Sequence, residues 1–316
     1  MNYDVHGAGL EVRANSAAPP AEMDLRLRGF PGGAGEPALR LEFLEGRELS
    51  PPAAVGRPVY DTPYGEVLYF DETDTLWGDL HGVRVRCDAS AGVARLQCED
   101  FHGRALYLAT HPLATISLME LLERRGRYAL HAACLADGGR GVLVAGPTGS
   151  GKSTLTLALL RAGLEFVSDD LVFLVPGEPA VAALGFADAV GVTEDAATRF
   201  GELRRWAGAE RRPGFPKHLV RIEEAFGVTP VASCVPRALV FPEVVRDRRG
   251  EVIELPPAEA WLRLVPDVLV THAASTQAHL RAISALVGQV ACYRVLSGTD
   301  LAHTAELVRE LLRTPA

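Results

Sequence analysis

Apolar and polar positions alternate in short stretches through the first third of the chain, and the period then lengthens. Met23 to Arg28, Val67 to Phe70, Val83 to Arg86, Ala94 to Gln97 and Ala105 to Leu108 follow the two-residue repeat of half-buried strands. Turn-forming clusters separate them: Pro31-Gly32-Gly33-Ala34-Gly35, Pro51-Pro52 and Asp88 to Gly92. The last of these, and the stretch Phe101 to Gly103, read as hairpin connections. Residues 1–112 are therefore expected to form a β-rich region. His6, His81, His102 and His111 are scattered through it without a catalytic constellation, and each reads as a surface or structurally satisfied histidine.

From His111 onward the pattern becomes helical, with Leu113 to Glu123 ending at Arg124-Arg125-Gly126, cationic side chains followed by a glycine suited to a C-cap. A strand over Tyr128 to Leu135, a turn at Asp137-Gly138-Gly139 and an apolar strand, Val142-Leu143-Val144-Ala145, come next. A helix follows through Thr154 to Leu160 and stops at Ala162-Gly163. Leu164 to Val167 reads as a strand running into Ser168-Asp169-Asp170, Leu171 to Val175 continues extended, and Pro176-Gly177-Glu178-Pro179 is a turn. Further on lie a helical segment over Glu194 to Trp206, a buried strand over Ala238 to Phe241, and helices over Pro257 to Leu264, Ser275 to Val287 and Asp300 to Leu312. This alternation predicts an α/β fold over residues 113–316, with a largely parallel sheet mixed at its edge.

Between the apolar strand and its helix stands Gly146-Pro147-Thr148-Gly149-Ser150-Gly151-Lys152-Ser153, a match to the Walker A pattern in the strand–loop–helix setting it requires. Glycines let the backbone curl until successive N–H groups point into one cavity, and the helix N-terminus adds partial positive charge there. In such a loop Lys152 reaches the β- and γ-phosphates and the Ser153 hydroxyl coordinates Mg²⁺. Residues Gly146 to Thr154 are thus the candidate nucleotide-binding set, with ATP and Mg²⁺ as the expected ligands.

Composition narrows the classes. With 316 residues there is room for one or two domains; 48% hydrophobic and 23% charged residues describe a globular protein. A net charge of −8 argues against nucleic acid as partner. The five cysteines show no CxxC or Cys/His spacing, so buried reduced thiols are expected rather than zinc or a disulfide framework. The N-terminal residues have no signal-peptide pattern, and no run of about 18 apolar residues reads as a membrane span. The expectation is a cytoplasmic protein without a membrane partner.

Asp169 and Asp170 follow Lys152 by 17 and 18 residues, at the end of the next strand. One carboxylate can hold Mg²⁺ and the other can accept a proton from an attacking hydroxyl, as phosphoryl transfer requires; capping of the following segment is the plainer alternative. His131, on the preceding strand, reads by itself as a packed core residue. The chain lacks a transporter-ATPase signature, and its asparagines, Asn2 and Asn15, cannot supply an Asn-Lys-x-Asp guanine motif.

Together these residues resemble the catalytic domain of HPr kinase/phosphorylase, which joins a histidine, a P-loop and an Asp-Asp pair on successive strands. Leu130-His131-Ala132-Ala133 and Phe166-Val167-Ser168-Asp169-Asp170 are also similar to the shorter HPr kinase-like serine kinases, some of which act in peptide natural-product pathways. Clear similarity spans Arg127 to Phe173, and a weaker one Val220 to Glu243. The resemblance implies a P-loop kinase core with a mixed sheet and flanking helices. It also implies that Asp170 is the general base, that Asp169 assists the metal, and that His131 sits against the transferring phosphoryl group. The family's signature beyond the aspartates has no match at Gly214-Phe215-Pro216-Lys217-His218-Leu219. Its Arg-rich loop is not found before Ser275-Thr276-Gln277, so phosphorolysis and HPr as substrate are not carried over.

Arg204-Arg205, Arg211-Arg212, Lys217 and Arg221 form a basic stretch, in which Lys217 and Arg221 are candidate substrate or phosphate contacts. A solvated loop is the alternative. The leading expectation is a kinase acting on a hydroxyl, that of a serine in a protein or peptide, with the N-terminal region recognising substrate or completing a homo-oligomer. The rivals are a kinase of a free serine-like metabolite, a nucleotide-sensing or assembly ATPase, and, more distantly, a phosphoenolpyruvate carboxykinase-like enzyme.

Overall fold

The computed structural model describes all residues except 47, 187–188, 246–248, 269–270 and 314–316. The chain groups into two units. Met1–Arg127, Arg211–Pro216 and Leu269–Gln277 make the first; Tyr128–Glu210, Lys217–Val268 and Ala278–Ala316 make the second.

In the first unit the strands are β1 (Asn2–Val5), β2 (Ala8–Ala14), β3 (Leu39–Glu45), β4 (Arg57–Thr62), β5 (Gly65–Phe70), β6 (Thr75–Leu80), β7 (Val83–Asp88) and β8 (Val93–Cys98). They form one sheet in the order β1-β2-β3-β8-β7-β6-β5-β4. The pairs β2–β3 and β3–β8 run parallel, and β4 to β8 form an antiparallel meander. Strand β7 shows the cause: Val83, Val85 and Cys87 are buried while Arg84, Arg86 and Asp88 alternate with them. On the outer face, Arg95 bridges Glu42 at 3.0 Å and Asp88 at 3.2 Å across neighbouring strands.

The helices of this unit are α1 (Ala18–Leu27), α2 (Gly103–Leu108) and α3 (Ala114–Glu123), the last two joined by a π-helical turn at Ala109–Leu113. Two sequence expectations are corrected here. Met23 to Arg28 is helical: Pro19, Glu22, Met23, Arg26 and Leu27 are buried at helical spacing, while Leu25, which the alternation placed with them, is 43% exposed. Ala105 to Leu108 is also helical, so Phe101 to Gly103 leads into a helix and is not a hairpin turn. The continuous helix Gly103–Glu123 is 21 residues long and, by length and composition, apolar enough to cross a membrane, contrary to the expectation that no such run exists. Its apolar face is laid on β7 and β8. That packing carries the first unit past the expected boundary at residue 112, on to Arg127.

Glu120 of α3 is fully buried and lies 2.6 Å from Arg124, which also holds Asp74 at 2.7 Å and the Ser275 hydroxyl at 2.6 Å. His111 is stacked on Tyr107 at 5.1 Å, and burial holds its imidazole well below its ordinary range.

The second unit contains β9 (Tyr128–Leu130), β10 (Ala132–Asp137), β11 (Arg140–Ala145), α4 (Lys152–Arg161), β12 (Glu165–Ser168), β13 (Val172–Val175) and β14 (Ala182–Gly185). A small ladder of β15 (Val190–Val192) and β16 (His218–Val220) accompanies α5 (Glu194–Arg199) and α6 (Ile222–Phe226). Then come β17 (Ser233–Val244), β18 (Glu251–Glu254), α7 (Pro257–Leu264), α8 (Ala273–Gln289, which belongs to this unit from Ala278 onward), β19 (Ala291–Ser297) and α9 (Leu301–Arg313). The sheet order is β12-β10-β11-β17-β14-β13-β9, with β19 on β17 and β18 on β19.

This is a mixed α/β unit, but the sheet is not largely parallel. Among the described residues only β11–β17 and β17–β19 pair in parallel. The reason is local: Gly138 and Gly139, both with positive φ, close a two-residue turn, and such a turn can only join antiparallel strands. Helices cover both faces. Leu155, Leu157 and Leu160 of α4 and Ala305, Val308 and Leu312 of α9 pack on one. Ala260 and Leu264 of α7 and Ile283, Leu286 and Val287 of α8 pack on the other. Each fully buried leucine contributes roughly 2 kcal/mol from burial.

Burial pushes the Glu120 carboxyl up to about 7 against the pull of Arg124. The stability it contributes as a neutral acid is therefore complete below its ordinary 4.5 and is lost as pH rises through about 7. Urea unfolding at about pH 4.5 and about pH 7.5 should find wild type losing roughly 3 kcal/mol relative to Glu120→Gln. Parallel pH profiles for the two proteins would contradict this assignment.

Candidate functional site

The site is built from the ends of β11, β10 and β12. Strand β11 ends at Ala145, and the chain turns through Gly146 to Gly151 before α4 begins at Lys152. Gly146, Gly149 and Gly151 have φ of +139°, +85° and +103°. Side-chain-bearing residues rarely adopt such angles, so the loop depends on glycine at these positions. Gly151 is the N-cap of α4, no side chain caps that helix end, and no acidic residue lies in its first turn. Its leading N–H groups are thus left to the loop.

Lys152 is the electrostatic centre of this loop. It is 8% exposed, and its Nζ donates to the Gly146 carbonyl at 2.6 Å and the Pro147 carbonyl at 3.4 Å. No carboxylate pairs with it among the described residues. A buried ammonium held by neutral carbonyls alone carries an uncompensated charge that an anion would neutralise. Ser153 and Thr154 lie half-buried in the first turn of α4, and the Ser150 hydroxyl is buried without a hydrogen-bond partner.

Register places the other candidates at the same edge. Ala132 lies opposite Ala145 in the antiparallel pair β10–β11, so His131, one residue earlier, lies level with Gly146. The expected strand over Tyr128 to Leu135 is broken at His131: β9 before it pairs with β13, and β10 after it pairs with β11 and β12. His131 is half-buried at that break. On the far side of β10, β12 also runs antiparallel to it, with Cys134 opposite Ser168. Strands β11 and β12 therefore point the same way, and Asp169 and Asp170 leave the sheet two strand spacings, about 10 Å, from the loop.

Ser168 fixes that exit. Its buried hydroxyl accepts from the Phe186 amide at 3.3 Å and lies 2.5 Å from the Leu171 carbonyl and 2.8 Å from the Phe186 carbonyl. Asp169 is 7% exposed, whereas Asp170 faces solvent. One carboxylate is thus buried and its neighbour is accessible, an arrangement suited to a metal-associated group beside a proton acceptor. Cysteine plays no visible part: Cys134 and Cys234 are buried with sulfurs 3.4 Å apart, and their contact and burial push the Cys134 thiol well up.

The basic stretch is divided between the two units. Arg211 and Arg212 belong to the first unit, where Arg212 pairs with Glu22 at 2.7 Å and lies over Phe215 at 4.1 Å. In the second unit Arg205 pairs with Glu224 at 3.2 Å and Arg221 pairs with Glu223. Lys217 is exposed, its stem against Gly191. Arg205, Arg212 and Arg221 are thus each engaged by a carboxylate.

One group at this edge went unread in the sequence. Strand β17 runs parallel to β11 with Val144 opposite Val240, which brings Glu243 and Val244 level with the loop. A Cβ built on Gly151 would lie 3.0 Å from Cγ2 of Val244. The run Ala238-Leu239-Val240-Phe241-Pro242-Glu243, apolar and closing on a carboxylate, was the available signal.

No family model matches the chain, and no curated protein matches it. Among solved structures, the Hpr(Ser) kinase/phosphatase from Coxiella burnetii is similar over 58% of this chain and 88% of its own, at 15% identity and a TM-score of 0.33. The chemistry assigned to the site rests on its own residues.

Ser168→Ala removes the acceptor of the Phe186 amide and the partner of two buried carbonyls. It should destabilise the protein by about 1–3 kcal/mol in urea unfolding. A change under about 0.5 kcal/mol would mean that the aspartate turn is held by something else.

Proposed function

We propose that the second unit is an ATP- and Mg²⁺-dependent kinase of the HPr kinase-like type, which transfers the γ-phosphate to the hydroxyl of a serine in a protein or peptide. Lys152 carries this reading: a buried cation with no carboxylate partner among the described residues, at the end of a loop in which Gly146, Gly149 and Gly151 take positive φ. The register that puts His131, Gly146 and Asp169 at one edge of the sheet supports it further.

In this reading Lys152 leaves the Gly146 carbonyl for the β- and γ-phosphate oxygens, and the loop amides from Gly149 to Ser153 hold the β-phosphate. Ser153 would hold Mg²⁺ directly and Asp169 would hold it through its waters; the ion would supply neutralisation of the phosphate charge. Asp170, exposed beside Asp169, accepts the serine proton as the hydroxyl oxygen bonds to the γ-phosphorus. The bond from that phosphorus to the bridging oxygen breaks, and ADP leaves. His131 sits against the transferring group and donates to it. Lys217 and Arg221 are assigned to the acceptor side, where Arg221 must exchange Glu223 for a substrate acid. The first unit is assigned to recognition of the acceptor.

Transfer of label from γ-labelled ATP into a host lysate, separated by size, tests the proposal. Wild type should label a protein or peptide fraction. Asp170→Asn should keep ATP binding and lose transfer by about 10²-fold or more, and Lys152→Ala should lose both. Label confined to small molecules would move the acceptor to a metabolite. Free phosphate alone, undiminished in Asp170→Asn, would contradict the kinase.

A further inference from the structure

The helix that begins at Lys152 borders a cavity at its other end. About 260 Å³ of space lies among Ala158, Arg161 and Ala162 of α4, the Phe200 ring, and Leu301, Ala302 and Glu306 of α9, all within the second unit. At about 1.5 Å per residue, Arg161 stands about 14 Å along α4 from Lys152. The cavity is therefore separate from the glycine-rich loop.

The sequence explains the gap. Ala158 and Ala162, four apart on one face of α4, and Ala302 of α9 contribute only methyl groups where longer side chains would close the space. Leu155, Leu157 and Leu160 hold α4 on the sheet, and Ala305, Val308 and Leu312 hold α9 there. The Ala162 carbonyl accepts from Arg309 Nη1 at 3.1 Å, which ties the end of α4 to α9. Walls anchored in this way resist collapse into the space between them. An apolar cavity of about 150 Å³ can hold a benzene ring, so this one has room for a ring and a short polar group.

The charged groups that line it are two, and opposite in sign. Arg161 lies 4.7 Å over the Phe200 ring, and its Nε and Nη2 are taken by Glu202, the former at 2.9 Å. Its Nη1 has no hydrogen-bond partner among the described residues. Glu306 gives one oxygen to Arg313 at 3.3 Å, and its second oxygen has no partner among the described residues. A ligand with a single charge would meet attraction at one of these groups and repulsion at the other. A ligand with one charge of each sign and an apolar body meets attraction at both, and apolar wall between them.

We infer that this cavity binds a free α-amino acid with an apolar side chain. Its carboxylate is taken by Arg161, its ammonium by Glu306, and its side chain by Ala158, Ala162, Leu301 and Phe200. The inference is independent of the kinase reading, since no residue of the glycine-rich loop or of the aspartate pair takes part.

Calorimetric titration of the full chain with L-phenylalanine and with L-leucine tests this, alongside phenethylamine and 3-phenylpropanoate, which each lack one of the charges. Wild type should bind at least one of the amino acids saturably with a Kd below about 5 mM, and each single-charge ligand at least about tenfold more weakly. Glu306→Gln, at an exposed position, should weaken the amino acid by about tenfold. Ala162→Leu should abolish binding by filling the space, with an unfolding midpoint within about 2 °C of wild type. Should Ala162→Leu fail to fold, Glu306→Gln still decides. A wild type that binds neither amino acid below about 5 mM would overturn the site. So would single-charge ligands that bind as tightly as the amino acids, or a Glu306→Gln variant that binds as wild type does.

Discussion

Ala132 lies opposite Ala145, and the position of every other group at the site follows from that antiparallel pairing. Because the turn at Gly138 and Gly139 is only two residues long, β10 must begin where β11 ends. His131 thus arrives at the glycine-rich loop without any long-range device. Strand β12, antiparallel to β10 in turn, regains the direction of β11 and delivers Asp169 and Asp170 to the same edge. An all-parallel arrangement would have placed the start of the histidine strand at the opposite end of the sheet. The mixed topology is what brings a strand start and two strand ends together.

Charge completes what topology begins. Lys152 is buried on the loop with only carbonyl oxygens for partners, while Asp169 is buried on the other side of β10. At about two strand spacings they are too far apart to neutralise each other directly. The gap between them is suited to a ligand carrying negative charge toward the lysine and a divalent cation toward the carboxylate. Rigid support lies outside this pair: Ser168 ties the aspartate turn to Phe186, and leucines of α4 anchor the helix below the loop.

Much of this was legible where the determinants are local. The loop, the helix expected over Thr154 to Leu160 and found from Lys152 to Arg161, its stop at Ala162 and Gly163, and the full extent of α7 follow from glycine placement and period. So does the exit of the aspartates from a short apolar strand. Period alone failed at Met23 to Arg28, where apolar residues two apart satisfied a strand pattern while residues four apart became the buried face of a helix. Strand direction was misjudged because a parallel sheet was inferred from alternation of element types, although the Gly138-Gly139 turn already required an antiparallel pair. The basic stretch left a phosphate or substrate contact and a solvated loop both open, and its pairing is only partly local: Glu223 stands two residues from Arg221, whereas Glu22 meets Arg212 across 190 positions. Membership of Arg211–Pro216 and Leu269–Gln277 in the first unit, and the meeting of Glu243 with Arg263 and Arg294, are equally non-local.

The central claim is that the Lys152 ammonium stands in reserve on the Gly146 carbonyl for the phosphates of a nucleotide. A crystal structure of the full chain with Mg²⁺ and a non-hydrolysable ATP analogue measures this directly. The account predicts the β-phosphate inside the curl of Gly146 to Ser153, with Lys152 Nζ moved from Gly146 onto β- and γ-phosphate oxygens. An analogue bound elsewhere, or bound there with Lys152 still on Gly146, would contradict it.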